Sequence, residues 1–267
     1  MKPLFGHIGG WTLVLLLGAL PAMAAPQEMP RWLMMVATRC TDAAREAEFN
    51  DWYDRIDVPD VLEVPGYQRA RRGELVDRAV PAQSPLPTIG QYVALYNIDS
   101  RAIDKTIIDM LMMARRMDER GRGTPLIRVT ERAYYREYAP LRAAPGKSKP
   151  SGGLYVFVER VDCCATPAAT RAFDAWYDRE HIGGALRRTA VLSATRYELY
   201  RILMTEPQAG SRFLTLYEMS ASTPAAAQLE ADALRADVLK RVPADEWTTQ
   251  RSLLFRQRLD AARPGRP

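Results

Sequence analysis

The chain has 267 residues, of which 47% are hydrophobic and 26% charged, and its formal net charge is +5. This is the composition of a globular protein, and it excludes a disordered polyelectrolyte, a collagen-like fibre and a coiled coil. A chain of this length can bury the core of one large domain or of two small ones.

The first 24 residues have the pattern of a secretory signal peptide. Lys2 precedes an apolar run over residues 11–20, and Ala22-Met23-Ala24 forms an A-x-A cleavage site. The apolar run is shorter than the roughly 20 residues that span a bilayer, which favours removal over anchoring. We therefore expect a periplasmic or secreted mature protein with no membrane span.

The remaining charges and the cysteines exclude several classes of function. The basic residues are dispersed among acids, which argues against a nucleic-acid partner. Only two histidines exist and His7 lies in the leader, so a metal site built from several histidines is not expected. Cys40, Cys163 and Cys164 are too few for a disulfide scaffold; they are either loop thiols or a bridge from Cys40 to one of the other two.

The main organising feature is an internal duplication. The segment 49–58 (FNDWYDRIDV) aligns with 173–182 (FDAWYDREHI) at five of ten positions, with an offset of 124 residues. The same offset relates 70–75 to 194–199, and Tyr92–Tyr96 matches Phe213–Tyr217 at a slightly smaller one. A period this long predicts two copies of a domain rather than a solenoid.

Each copy predicts the element order strand-helix-strand-strand-helix-strand, which is the ferredoxin-like unit. The predicted elements, in chain order, are strands at 32–38, around 70–75, 92–96 and 131–138 with helices at 42–57 and 102–120, then strands at 154–161, 194–199, 213–217 and 251–258 with helices at 167–181 and 224–241. The predicted divisions are a signal peptide at 1–24, repeats at 31–138 and 154–258, a linker at 139–153 and a tail at 259–267. A proline-containing loop is expected at 76–90.

The Trp-Tyr-Asp motif followed by histidine or aspartate resembles the dimeric α/β-barrel superfamily, and within it the EthD-like proteins. The first copy has Val58-Pro59 but carries Asp57 where the family has histidine. The second copy has His181 but lacks the following proline. The resemblance implies an α+β fold in which two ferredoxin-like halves pack sheet to sheet as an intrachain barrel. It also implies a monomer, because one chain supplies both halves.

His181 is the main candidate for chemistry, because histidine exchanges protons near neutral pH. The alternative is a structural histidine favoured by the dipole at a helix C-terminus. Asp57 occupies the matching position in the first copy, where a solvated or ion-paired carboxylate is the simpler interpretation. Only the second copy carries histidine, so we expect its pocket to be the working one.

The other candidates are aromatic and charged residues repeated in both copies. Core packing is the simpler explanation for the spacing of Tyr177, and the alternative is a hydroxyl that donates to a developing oxyanion. An arginine two residues before a glutamate lies on the same strand face, where a cross-strand ion pair is the simpler expectation and the alternative is an arginine that holds a substrate carboxylate. The predicted substrate-binding residues are Arg196, Glu198, Trp176 and Tyr217, and the first-repeat counterparts are Asp57, Tyr53, Arg72 and Glu74.

These residues lead to three functional hypotheses. The leading one is a cofactor-free lyase, isomerase or cyclase that uses His181 in acid/base catalysis on a largely apolar carbonyl or carboxylate compound. The second is a non-catalytic barrel that binds a ligand or supports a complex. The third is a haem-dependent or oxygen-using monooxygenase-like barrel, with His181 as the histidine ligand. No serine-nucleophile elbow or phosphate-binding loop occurs in the sequence.

Overall fold

The computed structural model describes residues 28–76, 91–146, 152–164, 166–205, 212–241 and 247–265. The predicted signal peptide and nearly all of the predicted proline-containing loop lie outside these residues. No helix among the residues described is long and apolar enough to cross a membrane.

The described residues form eight strands in the predicted order and six α-helices, because the first helix predicted in each repeat is divided by a π-helical segment. The strands are β1 (Arg31–Cys40), β2 (Tyr67–Leu75), β3 (Tyr92–Asp99), β4 (Ile127–Ala143), β5 (Gly153–Cys163), β6 (Val191–Thr205), β7 (Phe213–Ala221) and β8 (Trp247–Ala262). The helices are α1 (Glu46–Trp52), α2 (Val58–Glu63), α3 (Ile103–Glu119), α4 (Pro167–Trp176), α5 (Ile182–Arg187) and α6 (Pro224–Arg241), with a short 3₁₀ turn at Ala43–Arg45.

The strands close into one antiparallel barrel in the order β1-β3-β2-β8-β5-β7-β6-β4. Each repeat contributes the ferredoxin-like order, β4-β1-β3-β2 from the first and β8-β5-β7-β6 from the second. The repeats join twice, where β2 pairs with β8 and where β4 pairs with β6. The predicted duplicated α+β fold is therefore confirmed, and the sheet edges disappear by closure.

Three apolar clusters form the core. One fills the barrel interior, and it includes Leu33, Leu95 and Tyr197. The other two lie on the outer faces of the half-sheets, beneath the helices of the first and the second repeat respectively. Alternating residues of each strand supply the two faces, as the pleat requires.

Two predicted boundaries require correction. Strand β4 continues to Ala143 and pairs with β6 over most of that length, so residues 139–143 belong to the barrel and not to the linker. Strand β8 continues to Ala262, where it pairs with Arg69, so residues 259–262 are not a tail. Long strands are needed here because β4 and β8 each bond to strands of both repeats.

The helices that carry the repeated motif also extend beyond their predicted ends. Between α1 and α2 lies a π-helical segment at Tyr53–Asp57, and between α4 and α5 lies another at Tyr177–His181. In the first repeat the Val58 N–H bonds to the Tyr53 carbonyl, five residues back. Pro59 can follow because the hydrogen-bond pattern changes at this point. Asp57 and His181 thus lie within continuous helical segments, and the argument from the dipole of a helix C-terminus does not apply to them.

Candidate functional site

Two clusters of aromatic and titratable side chains occupy equivalent positions in the two repeats. Each is built on a π-helical segment, and such segments occur frequently at functional sites. In each repeat a tyrosine and, four residues later, an acid or a histidine lie against the outer face of the sheet: Tyr53 and Asp57 in one, Tyr177 and His181 in the other.

The second-repeat cluster is sealed. The side chains of His181 and Glu159 are 1% and 0% exposed, and Nε2 of His181 lies 3.2 Å from Oε2 of Glu159. The Tyr177 hydroxyl donates to the same oxygen at 2.6 Å. The Tyr217 hydroxyl also donates to it, at 3.5 Å. Burial, reinforced by the Glu159 charge, raises the pKa of both tyrosines well above the usual value.

The rings around His181 leave it no open face. The Tyr177 ring is centred 4.7 Å from the imidazole and the Trp176 ring 5.6 Å from it, and the Tyr217 ring meets it edge-on at 6.2 Å. The structure therefore brings together His181, Tyr177, Trp176 and Tyr217, as predicted for a site, but as a packed cluster. Their catalytic and binding roles remain predictions.

The first-repeat cluster borders a cavity of about 30 Å³. Its walls include Tyr53, Asp57, Tyr96 and Arg132, together with apolar side chains of β1, α2 and α3. The Tyr96 hydroxyl donates to Oδ2 of Asp57 at 3.2 Å. Asp57 itself is only partly buried, so this cluster, unlike that around His181, is not closed.

Burial raises the pKa of Asp57 from 3.8 to about 6. The hydrogen bond from Tyr96 and the positive charge of Arg132 act in the opposite direction and limit the rise. Burial also raises the pKa of Tyr53 and of Tyr96, which keeps both hydroxyls protonated as donors. A carboxylate with a pKa near 6 is a competent proton acceptor at neutral pH.

The two repeats place their charged sheet residues at different positions of the same pair of strands. Val36 pairs with Arg132 across β1 and β4, and Glu159 pairs with Ser252 across β5 and β8 in the same register. The first repeat therefore has its acid on the helix and its base on the sheet. The second repeat has histidine on the helix and its acid, Glu159, on the sheet.

Arg72 and Arg196 connect the sheet to the helices in both repeats. Each is buried, and each guanidinium donates to two side chains one turn apart on the facing helix. Arg72 contacts Asp54 at 2.7 Å and Asn50 at 2.6 Å. Arg196 contacts Asp178 at 3.1 Å and Asp174 at 2.6 Å. The predicted alternative, a substrate-holding arginine, has no support from these contacts, because two donor nitrogens of each guanidinium already bond to the helix.

Each arginine and the glutamate two residues after it bond to other elements and not to each other. Glu74 pairs instead with Arg258 at 3.0 Å, and Glu198 pairs with Arg212 at 2.9 Å. Glu74 lies near the end of β2, and Glu198 lies in the middle of β6. The strand spacing correctly places arginine and glutamate on one face, but the arginine turns toward the helix because two polar partners are within reach there.

Sequence reasoning missed Glu159 and Arg132. Glu159 had a visible signal, because a glutamate within an apolar strand must be buried with a partner. Arg132 had none, because only the register of β4 against β1 shows that it lies opposite Val36 and near Asp57.

The cysteines do not join the repeats. Cys40 is a free thiol and Cys164 is disulfide-bonded, so a bridge from Cys40 is not formed. Among the residues described, no group of three or more potential ligands is arranged to hold a metal ion.

The residues around His181 do not fit a haem. An axial histidine must offer a ring nitrogen to the iron, but Nε2 faces Glu159 and three aromatic rings occupy the surrounding space. A porphyrin would require the packed cluster to come apart. We therefore assign no chemistry to a haem in this chain.

Comparison with known proteins identifies the fold. No protein-family model and no curated protein sequence matches the chain. Its fold is similar to that of a putative monooxygenase from Fusobacterium nucleatum, with a TM-score of 0.55, 8% identity, and coverage of 89% of this chain and 96% of that one. An anthrone oxidase-like protein has a TM-score of 0.54, 11% identity and coverage of 89% and 95%. Chlorite dismutase from Candidatus Nitrospira defluvii, solved in complex with imidazole, has a TM-score of 0.50, 11% identity and coverage of 86% and 91%.

These neighbours correct the leading functional prediction. They bear the names of an oxidase-like protein, a monooxygenase and a chlorite dismutase, so the expectation of a cofactor-free lyase, isomerase or cyclase is wrong. The sealed environment of His181, its intended acid/base residue, agrees with this correction. The more specific EthD-like resemblance stays a prediction. The chain has the fold of the dimeric α/β barrels, with both halves supplied by one polypeptide.

Proposed function

We propose that the chain is an oxygen-using oxidase or monooxygenase-like enzyme whose working site is the Asp57 cavity of the first repeat. The observation that carries the proposal is a partly buried carboxylate with a pKa of about 6 on the wall of an internal cavity. The likeness in fold to oxidase-like and monooxygenase proteins supports the reaction class. The site thus lies in the opposite repeat from the one that carries His181.

The cavity can remove a proton from a weak acid and hold the resulting anion. Asp57 accepts the proton from an acidic C–H or O–H group of the substrate. Arg132, on the same cavity wall, stabilises the negative charge that develops. An electron-rich anion in an apolar chamber is the form of an organic substrate that dioxygen oxidises. For a ring methylene, one dioxygen converts the CH₂ group to a carbonyl and releases one water.

The tyrosines orient the base. The Tyr96 hydroxyl donates to Oδ2 of Asp57, which fixes the carboxylate and leaves Oδ1 to face the substrate. Tyr53 lines the same cavity, and its raised pKa keeps it a neutral donor. These two residues are positioning residues rather than bases.

The cavity must widen to admit a substrate. A volume of about 30 Å³ is enough for roughly one water molecule. Met34, Met110 and Met113 line it, and methionine side chains rearrange more readily than branched ones. The walls are therefore suited to opening around an apolar body.

Oxygen consumption tests the proposal. With anthrone as the probe substrate, we expect Asp57→Asn to reduce the rate about 10²-fold or more, because a positioned base contributes about 10²–10⁴-fold. Asp51→Asn is the matched control, since Asp51 is an exposed residue of α1 that pairs with Arg55. His181→Gln, once shown by circular dichroism to be folded, should keep most of the rate. Loss of oxygen uptake in His181→Gln with retention in Asp57→Asn would assign the site to the second repeat and refute the proposal.

A further inference from the structure

A surface groove of about 690 Å³ lies between α2 and α3 of the first repeat. Its lining combines apolar side chains, including Val64, Met112 and Met117, with several charged residues.

One side chain belongs to both spaces. Met113 lines the surface groove and also the internal cavity. It is 9% exposed. Val61 of α2 lines the cavity, and Val64, directly after the end of α2, lines the groove. A change of Met113 rotamer would therefore join the groove to the cavity, and the combined space would hold a ligand of several rings.

Four basic residues and three acids, among them Glu63, line the groove, so its positive charge exceeds its negative charge by one. Asp60 is paired with Arg122 at 2.6 Å, and Asp109 is paired with Lys105 at 2.6 Å. Arg116 and Arg120 also line the groove, and neither forms an ion pair with another residue in the part of the chain that the structure describes. Two such guanidinium groups are suited to a carboxylate, which arginine binds through paired hydrogen bonds.

We propose that the groove is the entrance to the site and that it selects an aromatic substrate bearing a carboxylate. Arg116 and Arg120 hold the carboxylate at the surface, and the apolar ring system passes Met113 to present its acidic hydrogen to Asp57. This inference rests on the proposed function, because it assumes that the substrate reacts at Asp57. Recognition of the carboxylate by the two arginines can be tested by binding alone, without turnover.

The binding test compares two probes that differ only in charge, anthraquinone-2-carboxylate and anthraquinone-2-carboxamide. By equilibrium dialysis, the wild-type protein should bind the carboxylate about 10-fold more tightly. Arg116→Gln and Arg120→Gln should each remove most of that preference and leave carboxamide binding unchanged. Arg115→Gln is the matched control, because Arg115 is an exposed residue of the same helix that pairs with Glu119. Equal affinity of the wild-type protein for the two probes would overturn the inference.

Two substitutions test whether Met113 separates the groove from the cavity: one restricts the rotation of this side chain, and the other fills the space with a larger one. Met113→Ile keeps a similar volume but restricts rotation, and we expect slower association of both probes with little change in stability. Met113→Trp should weaken the binding of both probes about 10-fold or more. Unchanged association rates in Met113→Ile would show that the passage lies elsewhere.

The two proposals fail in different ways. If the arginine variants lose the carboxylate preference but Asp57→Asn keeps normal oxygen uptake, the entrance stands and the proposed function is refuted. If Asp57→Asn loses oxygen uptake but the arginine variants bind both probes as the wild-type protein does, the proposed function stands and the entrance is refuted.

Discussion

Removal of the His181 imidazole should destabilise the protein strongly, because it breaks a buried polar cluster. Glu159 is fully buried and its Oε2 atom accepts from His181, Tyr177 and Tyr217. A hydrogen bond to a buried charged group contributes about 1.5–3 kcal/mol. His181→Leu removes one such bond and puts a side chain of different shape into a packed cluster, so we expect a loss at the upper end of this range, about 2–3 kcal/mol.

The first repeat supplies the compensating change. Val36 occupies the position that Glu159 has in the second repeat, so Glu159→Val gives that position a side chain that the fold already accepts there. In the double variant His181→Leu/Glu159→Val the Glu159 carboxylate is gone. The Tyr177 hydroxyl can still donate to the Thr215 hydroxyl, which lies 2.9 Å away. Replacing a buried polar pair by apolar residues is often neutral, so the double variant should recover much of the loss.

Urea unfolding measures this coupling. At a denaturant slope of about 2–3 kcal/mol per molar, His181→Leu should lower the midpoint by about 1 M. The double-mutant cycle should give a coupling free energy of about 1.5 kcal/mol or more. If the free-energy losses of the two single variants add to that of the double variant within about 0.5 kcal/mol, His181 and Glu159 do not act as a buried pair. That result would refute the structural role assigned to His181.

Three further variants test the first repeat. Asp57→Asn should stabilise the protein at pH 7.5 by up to about 3 kcal/mol. The native pKa of Asp57, about 6, exceeds the unfolded value, so the charged carboxylate destabilises the folded protein as the pH rises through this range. The urea midpoints of the variant and the wild-type protein should converge as the pH falls toward 4, and midpoints that stay apart would contradict this. Gly73→Ala should cost about 1–3 kcal/mol, because an added Cβ would lie 2.8 Å from the Phe255 Cβ across β2 and β8; a melting temperature equal to that of the wild-type protein would argue against that contact. Arg72→Lys should cost about 2 kcal/mol, because a single ammonium cannot replace the two hydrogen bonds from the guanidinium to the helix. The control Arg55→Lys, at an exposed residue, should change the urea midpoint little. Similar losses of stability in both variants would contradict the assigned contacts of Arg72.

Much of the fold could be read from the duplication. The repeated aromatic motif and the element order predict two ferredoxin-like halves, because order and spacing survive even where the residues differ. The ends of β4 and β8 could not be predicted, because their outer residues pair with the other repeat and not with neighbours in the sequence. The continuation of the helices past residues 57 and 181 could not be predicted, because the sequence pattern does not reveal the π-helical turns at Tyr53–Asp57 and Tyr177–His181.

The sequence indicated that Asp57 and His181 occupy equivalent positions, but it did not indicate which side chains surround them. The motif correctly places Asp57 and His181 at equivalent positions facing the sheet. Which of them borders a cavity depends on what the sheet supplies, namely Arg132 near Asp57 and Glu159 beside His181. Histidine was favoured for its ordinary pKa, but burial gives Asp57 a pKa of about 6. A pKa that depends on tertiary burial is not encoded in residue type or spacing.

The pH dependence of oxygen uptake tests the central claim most directly. If Asp57 in the first-repeat cavity is the working base, kcat/KM should rise with pH through an apparent pKa near 6, the value that burial gives this carboxyl. Asp57→Asn should abolish that rising limb, and His181→Gln should retain it. A limb that persists in Asp57→Asn and disappears in His181→Gln would contradict the account.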